Sequence, residues 1–240
     1  CFARLVFFWT RYFYAPLLLA TLVGCSSSSN TPQANQYAYY SGGQSIGDST
    51  SFYWFTKRLG SAYSAADYVT SGDYGYYRTD YAWQGDVLRE LIREGYRTND
   101  EQELVPYRVH LRFSASGEAV YQQLRLDGKV LPIPEKQIKR YQQEANFVVE
   151  TTEAQDKENL ELVQGYWDGE TFETCDDREY EKLAFNQTLP SFVVNRLSTV
   201  DSYVAFIGQK EHKTLSVSDL LMLSEDNQDC IKRPSFIEQN

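Results

Sequence analysis

Apolar and polar positions alternate over much of the chain from residue 51 onward. Residues 51–59 (SFYWFTKRL) are aromatic and end at a glycine, and residues 74–83 (YGYYRTDYAW) alternate with a period of two. This period places successive side chains on opposite faces of a β-strand. In the second segment one face holds Tyr77, Tyr81 and Trp83, and the other holds Tyr74, Tyr76, Arg78 and Asp80. Both segments are predicted as strands, followed by a turn at residues 84–86.

The segment after this turn, residues 87–96, is ambiguous. Its apolar residues fit one face of a helix, with Asp86 as a start signal and Gly95 as a stop signal. Its neighbours on both sides have the pattern of strands in a meander. We interpret it as a strand and keep the helix as the alternative.

A β-hairpin is predicted next. Residues 107–114 (YRVHLRFS) and 119–126 (AVYQQLRL) flank a Ser-Gly pair, which is a turn signal. The Asp-Gly pair at 127–128 is a second tight turn into a short strand at 129–133.

One packed helix is predicted over residues 135–152, and the charged stretch 153–159 either continues it or links it to the next element. Pro134 suits a helix start, because its fixed φ and missing N–H do no harm there. Apolar residues then recur at steps of three and four, and the opposite face is charged or amide. The apolar positions are Ile138, Tyr141, Ala145 and Val148.

Shorter strands are predicted beyond residue 160. Residues 162–167 and 171–175 flank an Asp-Gly hairpin turn, and residues 191–197 suit a short helix. Further strands are expected at 182–186, 203–208 and 214–223. The fold class is therefore α+β and mostly antiparallel β. An aromatic-rich meander with one packed helix (49–159) precedes a smaller β-rich module (160–240), for which the spacing allows an OB-like barrel.

The N-terminus has the features of a secretion signal. An apolar run follows Arg4 and Arg11 and ends in Leu22-Val23-Gly24-Cys25, before four serines. This ending resembles the lipobox of bacterial lipoproteins. The resemblance implies a signal peptide at 1–24 and lipidation of Cys25, with acyl chains as the contact with the membrane. The alternative is an uncleaved membrane-spanning helix, although Arg11 and Pro16 interrupt the run.

The lipobox reading also predicts location and a tether. Ser26, in place of Asp, is the pattern that in enterobacterial lipoproteins implies sorting to the outer membrane, facing the periplasm. Residues 25–48 are polar, nearly uncharged and rich in Ser, Gly, Asn and Gln, which predicts a lipidated flexible tether.

The same reading predicts a disulfide. With Cys25 taken by lipid and Cys1 removed, Cys175 and Cys230 form an even pair. An envelope compartment is oxidising, so a bond between them is expected. The alternative is two unrelated buried thiols.

Several segments together resemble the YjaH-like lipoproteins of gammaproteobacteria, a family of unknown function. They are the lipobox, the aromatic strands, the hairpin SGEAVYQQLRLDGKVLP, the helix EKQIKRYQQEA and the turn YWDGETFETC. The resemblance implies an envelope lipoprotein and supplies no catalytic residues.

Composition and charge exclude several classes of protein. The chain has 33 acidic and 23 basic residues in 240, a formal net charge of −10, which argues against a nucleic-acid partner. Two histidines and four cysteines leave little material for a multi-ligand zinc site. No nucleophile-elbow, dinucleotide-binding or P-loop motif occurs, so no catalytic residue and no cofactor is assigned. His110, between Val109 and Leu111, is interpreted as a strand residue beside two arginines.

The aromatic strands are the best functional hint. Tyrosine and tryptophan stack on rings and enrich binding surfaces, although they also fill sheet cores. The face with Tyr74, Tyr76 and Arg78 is the candidate exposed one. We therefore expect a non-enzymatic binding or accessory protein whose partner is an envelope protein or glycan. The alternatives are an envelope hydrolase with paired carboxylates and a structural or stress-related component.

Overall fold

The structure is a computed structural model and describes residues 36–186 and 188–238. Its larger sheet has eight antiparallel strands, each paired with the next one along the chain. The strands are β1 Tyr37–Ile46, β2 Ser49–Arg58, β3 Ser61–Thr70, β4 Gly75–Gln84, β5 Val87–Thr98, β6 Leu104–Phe113, β7 Ala119–Leu126 and β8 Lys129–Leu131. The predicted aromatic-rich antiparallel meander is confirmed.

The ambiguous segment at 87–96 is a strand. Strand β5 pairs along its length with β4 on one side and β6 on the other. Leu91 and its neighbour Ile92 are both buried, and adjacent strand residues point to opposite faces. Because both faces are covered here, adjacent apolar residues imitate the spacing of a helix.

The predicted tether at 25–48 is wrong for residues 37–46, which form strand β1 and pair with β2. Gly42 and Gly43 are buried, and a Cβ on Gly43 would collide with the backbone oxygen of Ser51. Neighbouring atoms pack so closely against the strand at these two glycines that they leave no room for a side chain. The strand therefore lacks the large apolar residues by which a buried strand is recognised. Cys25 and the tether up to residue 35 lie outside the described residues.

Helix α1, Glu135–Lys157, packs across one face of the larger sheet, which we call the inner face. The predicted apolar stripe is buried against that face, so the prediction of a packed helix is confirmed. The helix runs five residues beyond the predicted end at Thr152. Its last turn is held to β1 by Gln155, whose Oε1 accepts the N–H of Gly43 at 3.0 Å and whose Nε2 donates to the Gly43 carbonyl at 2.8 Å.

The second sheet has six strands in the order β11-β10-β9-β13-β14-β12 and is nearly closed, like a barrel. Its elements are β9 Glu161–Trp167, β10 Phe172–Thr174, β11 Glu179–Tyr180, β12 Lys182–Phe185, helix α2 Ser191–Thr199, β13 Ser202–Glu211 and β14 Thr214–Glu225. Among the strands of the described residues, only β12 and β14 pair in parallel. The predicted small β-rich module and short helix are confirmed. Of the helices in the described ranges, neither is long and apolar enough to cross a membrane.

The two sheets share part of their core. Phe52 of the larger sheet is fully buried and packs in one cluster with residues of the second sheet. Those residues are Leu162, Tyr203, Ala205, Ile207 and Leu221. The described residues therefore form one compact unit, in which the change near residue 160 marks the passage from one sheet to the other.

The predicted disulfide between Cys175 and Cys230 is present. Its Cα atoms are 6.1 Å apart, and 55 positions separate the two residues in the chain. Cys175 follows β10, and Cys230 lies in the C-terminal segment, which we define as residues 226–238. The bond fastens this segment to the second sheet.

Candidate functional site

Three tyrosines form a row across the outer face of the larger sheet, opposite α1. Tyr68, Tyr76 and Tyr96 come from strands β3, β4 and β5. Their ring centroids are 6.0 Å apart for Tyr68 and Tyr76, and 5.7 Å apart for Tyr76 and Tyr96. Tyr96 is 44% exposed, whereas Phe52, which continues the row beyond Tyr68, is fully buried. We call the three tyrosines the tyrosine ladder.

A charged row runs beside the tyrosine ladder. Arg78, Glu94, Arg108 and Arg125 lie directly opposite one another on the four consecutive strands β4 to β7. Glu94 accepts a hydrogen bond from Arg108 at 2.7 Å, which leaves more positive than negative charge in the row. Arg78, Arg108 and Arg125, which we call the arginine row, line an open cleft of about 450 Å³ together with Tyr76 and Tyr96.

The C-terminal segment forms a wall at the other end of the ladder. Residues 228–232 line a second cleft of about 800 Å³ with Tyr68, Tyr76 and Arg78. The disulfide and a hydrogen bond from the N–H of Ile231 to Gln164 Oε1, at 3.0 Å, hold the wall in place. The ladder therefore lies between two clefts that both open on the outer face.

Buried polar groups fix the remainder of the C-terminal segment. Arg233 donates to the hydroxyl oxygens of Thr56 at 2.7 Å and Ser64 at 2.8 Å. The Asp80 carboxylate accepts the backbone N–H groups of Phe236 and Ile237, both at 2.8 Å. Burial raises the pKa of Asp80, although these two N–H groups act in the opposite direction. Asp80 is thus a structural anchor for the segment.

The structure brings together two of the three residues of the predicted aromatic face. Tyr76 and Arg78 lie side by side at the clefts. Tyr74 does not belong to their strand: it ends a 3-10 turn, Gly72–Tyr74, and β4 begins only at Gly75, where φ is 111°. It is 68% exposed and lines a different cavity, under α1. Gly75 therefore separates Tyr74 from the tyrosine ladder.

Sequence reasoning missed the site residues on neighbouring strands. Tyr68, Tyr96, Arg108 and Arg125 reach the site through strand pairing. The only signal for them was the meander itself, because consecutive strands with known turns have a computable register. That register depended on β5 being a strand, which the pattern left open.

The other chemistry candidates have ordinary partners. His110 Nε2 lies 2.7 Å from Glu90 Oε1, and its ring makes an edge contact with Tyr121. Residues 176–179 (DDRE) are rich in carboxylates, and there Asp176 pairs with Arg178, whose hydrogen bond lowers the pKa of Asp176. Across residues 36–186 and 188–238, no three His, Cys, Asp or Glu side chains cluster as metal ligands would.

The arrangement on the outer face is suited to binding. Tyrosine rings offer flat apolar faces with a hydroxyl at the rim, and guanidinium groups bind carboxylates in a forked geometry. Burial raises the pKa of Tyr68, so its phenol stays protonated and keeps a proton to donate. A ring-shaped ligand with acidic substituents would satisfy both rows at once.

The comparisons with known proteins identify a family. Residues 41–235 match the sequence model of a family described as a protein of unknown function, DUF1481. A search of the curated proteins found no match, and a search of the solved structures found none either. The matched range includes both helices, the tyrosine ladder and the arginine row. The chain therefore belongs to the DUF1481 family of proteins of unknown function.

Proposed function

We propose that this protein is a non-enzymatic, lipid-anchored binding protein of the bacterial outer membrane. It faces the periplasm and binds an acidic envelope glycan on its outer face. The observation that carries the proposal is the tyrosine ladder running beside the arginine row. The three ladder rings are within 6.0 Å of their neighbours, and three arginines lie beside them on a chain with a net charge of −10.

The support for the lipid anchor comes from the sequence. The apolar run and the residues Leu22-Val23-Gly24-Cys25 fit a lipobox, as in the YjaH-like lipoproteins that the chain resembles. The disulfide supports an oxidising compartment, where such bonds form and persist.

An acidic glycan fits the chemistry of the face better than a neutral one. A pyranose ring can lie on a tyrosine face, and its carboxylate can take a charge-assisted hydrogen bond from a guanidinium. An excess of arginine on an otherwise acidic protein also attracts a polyanion locally, while the acidic remainder of the surface repels it.

A hydrolase with paired carboxylates is less well supported. Asp67 and Glu144 converge, but they do so on Arg93 Nη2, at 3.8 Å and 2.9 Å. The guanidinium occupies the space between them that a substrate would need. The structural or stress-related role remains an outcome of the binding test.

The test is a titration of the full chain in detergent with oligogalacturonate, monitored by calorimetry. A malto-oligosaccharide of equal length serves as the neutral ligand. We expect the acidic ligand alone to bind, and Tyr76→Ala and Arg108→Gln each to weaken binding by at least about tenfold, or about 1.4 kcal/mol. Tyr39→Ala, at a 74% exposed position of β1, is the matched control.

Equal affinity for the two oligosaccharides would contradict the role of the arginine row. Unchanged affinity in Tyr76→Ala would contradict the role of the ladder. Binding of neither ligand would overturn the glycan assignment, and crosslinking in the envelope would then separate a protein partner from a structural role.

A further inference from the structure

A third cavity, of about 540 Å³, lies between the inner face of the larger sheet and the N-terminal half of α1. Strands β3 to β7 and the turn before β4 form one wall. Residues of the helix and the proline before it form the other: Pro134, Gln137, Arg140, Tyr141 and Glu144. The C-terminal half of the helix is fastened to the sheet by Gln155 and by an ion pair between Lys57 and Glu153 at 2.6 Å. The volume is in the range of small-molecule sites.

Arg93 is held rigidly in the sheet wall of this cavity. Its guanidinium carbon lies 3.9 Å from the centroid of the Tyr77 ring and 5.0 Å from that of the Tyr141 ring. Its Nε donates to Thr79 Oγ1 at 2.8 Å. A side chain fixed by so many partners loses no further freedom when a ligand binds, and this favours binding.

The charge of the cavity is opposite to that of the chain. Arg93, Arg97 and Arg140 line it, and Glu144 is the only carboxylate among its lining residues in the described ranges. Asp67, 3.8 Å from Arg93 Nη2, lies behind the lining and compensates part of the charge of Arg93. Glu144 is shared, with Oε2 at 2.9 Å from Arg93 and Oε1 at 2.9 Å from Arg140. Within the described residues Arg97 makes no ion pair or side-chain hydrogen bond, so its positive charge is uncompensated.

Aromatic rings supply the apolar part of the lining. Tyr77 and Tyr107 come from the sheet and Tyr141 comes from the helix. Burial raises the pKa of both Tyr77 and Tyr107, so their phenols are neutral hydrogen-bond donors near neutral pH. Flat faces, neutral donors and guanidinium groups together suit a planar anion.

From this lining we infer that the cavity under α1 is a binding site for a small planar organic carboxylate. It differs from the outer-face site in its arginines, although Tyr76, Tyr96 and Tyr107 line both. The carboxylate is held by Arg97 and Arg140 at the mouth, and the ring packs against Tyr107, because Arg93 already covers the rings of Tyr77 and Tyr141. A neutral ring lacks the charge for the arginines, and inorganic phosphate lacks the flat apolar body for the tyrosines.

Saturation-transfer difference NMR on the full chain in lipid nanodiscs tests the inference, with empty nanodiscs as the blank. The probes are benzoate, benzyl alcohol and inorganic phosphate, the last as a competitor of benzoate. We expect saturable transfer to benzoate only, and an affinity at least about tenfold lower in Arg97→Gln and in Arg140→Gln, since each loses a charge-assisted bond. Arg97→Lys, which keeps the charge, should retain part of the affinity.

Two control variants test whether benzoate binds in this cavity. Lys136→Gln removes the same charge from the same helix at a position that does not line the cavity. Arg108→Gln alters only the outer site. Both should bind benzoate as the wild type does, so a failure of the glycan proposal would not change this result.

Three results would overturn the inference. Equal binding of benzoate and benzyl alcohol would show a purely apolar cavity. Displacement of benzoate by phosphate at equal concentration would show a plain anion site. Wild-type affinity in both Arg97→Gln and Arg140→Gln would place the benzoate elsewhere. Both arginines are exposed, and circular dichroism checks that their variants keep the fold.

Discussion

The guanidinium of Arg93 lies 3.9 Å from the centroid of the Tyr77 ring, and Arg93 is only 4% exposed. The same guanidinium faces Asp67 at 3.8 Å and Glu144 at 2.9 Å. A buried charge is stable only when other charges and hydrogen bonds compensate for lost water, and here two carboxylates and an aromatic face do so. The Arg93 side chain thereby connects its own strand β5 with strands β3 and β4 and with helix α1.

Arg93→Met should therefore destabilise the fold strongly. The variant leaves the Asp67 carboxylate buried without its cation, which typically costs about 3–5 kcal/mol. The free energy of unfolding in urea measures the loss. Arg112→Met, at an exposed position of β6, is the control and should change stability little. Equal losses in the two variants would refute the compensation described above.

Asp80 should make stability depend on pH. Burial raises its pKa above the ordinary value of 3.8, so the folded state holds the proton more tightly than the unfolded chain does. Its contribution to stability is therefore present below pH 3.8 and is lost as the pH rises through the folded-state pKa. Asp80→Asn removes this titration, and its stability relative to the wild type should improve as the pH rises from about 4.

Chemical denaturation at several pH values above this point measures the effect of Asp80→Asn. Asp86→Asn, in an exposed turn, should show a constant difference from the wild type over the same range. A constant difference for Asp80→Asn as well would mean that its carboxyl titrates normally in the folded protein.

The disulfide should stabilise the whole unit. In the chain-entropy model, closing a loop of 55 positions removes about 4 kcal/mol of unfolded-state freedom. The double variant Cys175→Ser, Cys230→Ser is expected to lose stability up to this amount, as measured by urea unfolding. Without the bond, the segment that leads to Phe236 and Ile237 is unrestrained over a greater length, so their hydrogen bonds to Asp80 should open more often. Amide hydrogen exchange at both residues should therefore become faster. Unchanged exchange there would show that the bond does not hold the segment.

Two adjacent glycines offer a test of strand β1. A Cβ on Gly43 meets the backbone oxygen of Ser51, which cannot move away. A Cβ on Gly42 meets the end of the Gln155 side chain, which can turn away if it gives up its two hydrogen bonds to Gly43. Gly43→Ala should thus be the more destabilising, within or above the range of about 1–3 kcal/mol for overpacking. Urea unfolding of the two variants ranks them. The reverse order would contradict the buried position of Gly43.

The lipid anchor has its own prediction. Cys25→Ser should abolish labelling with radioactive palmitate and release the protein from membranes, because the acyl chains supply the membrane affinity. Cys175→Ser is the matched control and should keep the label. Membrane association that persists in Cys25→Ser would favour the uncleaved spanning helix instead.

Local pattern determined much of the secondary structure. The period of two at residues 74–83, the proline before α1 and the Asp-Gly pair at 168–169 all predicted elements that the structure contains. Each of these signals depends on interactions over a few residues, which act wherever the segment lies in the fold. The disulfide partners could also be predicted, because only two cysteines remained once Cys25 was assigned to lipid and Cys1 to the removed signal peptide.

Tertiary structure alone decided which residues share a site. Tyr68, Tyr76 and Tyr96 lie on three consecutive strands, and they meet because of the register of those strands. A positive φ at Gly75 sets Tyr74 apart from them, although the alternation put it on the same face. The burial of Arg93 and of the glycines in β1 could not be predicted from the sequence pattern either. Hydrophobic pattern reports burial only where the buried residue is apolar, and contacts between distant segments decide the remainder.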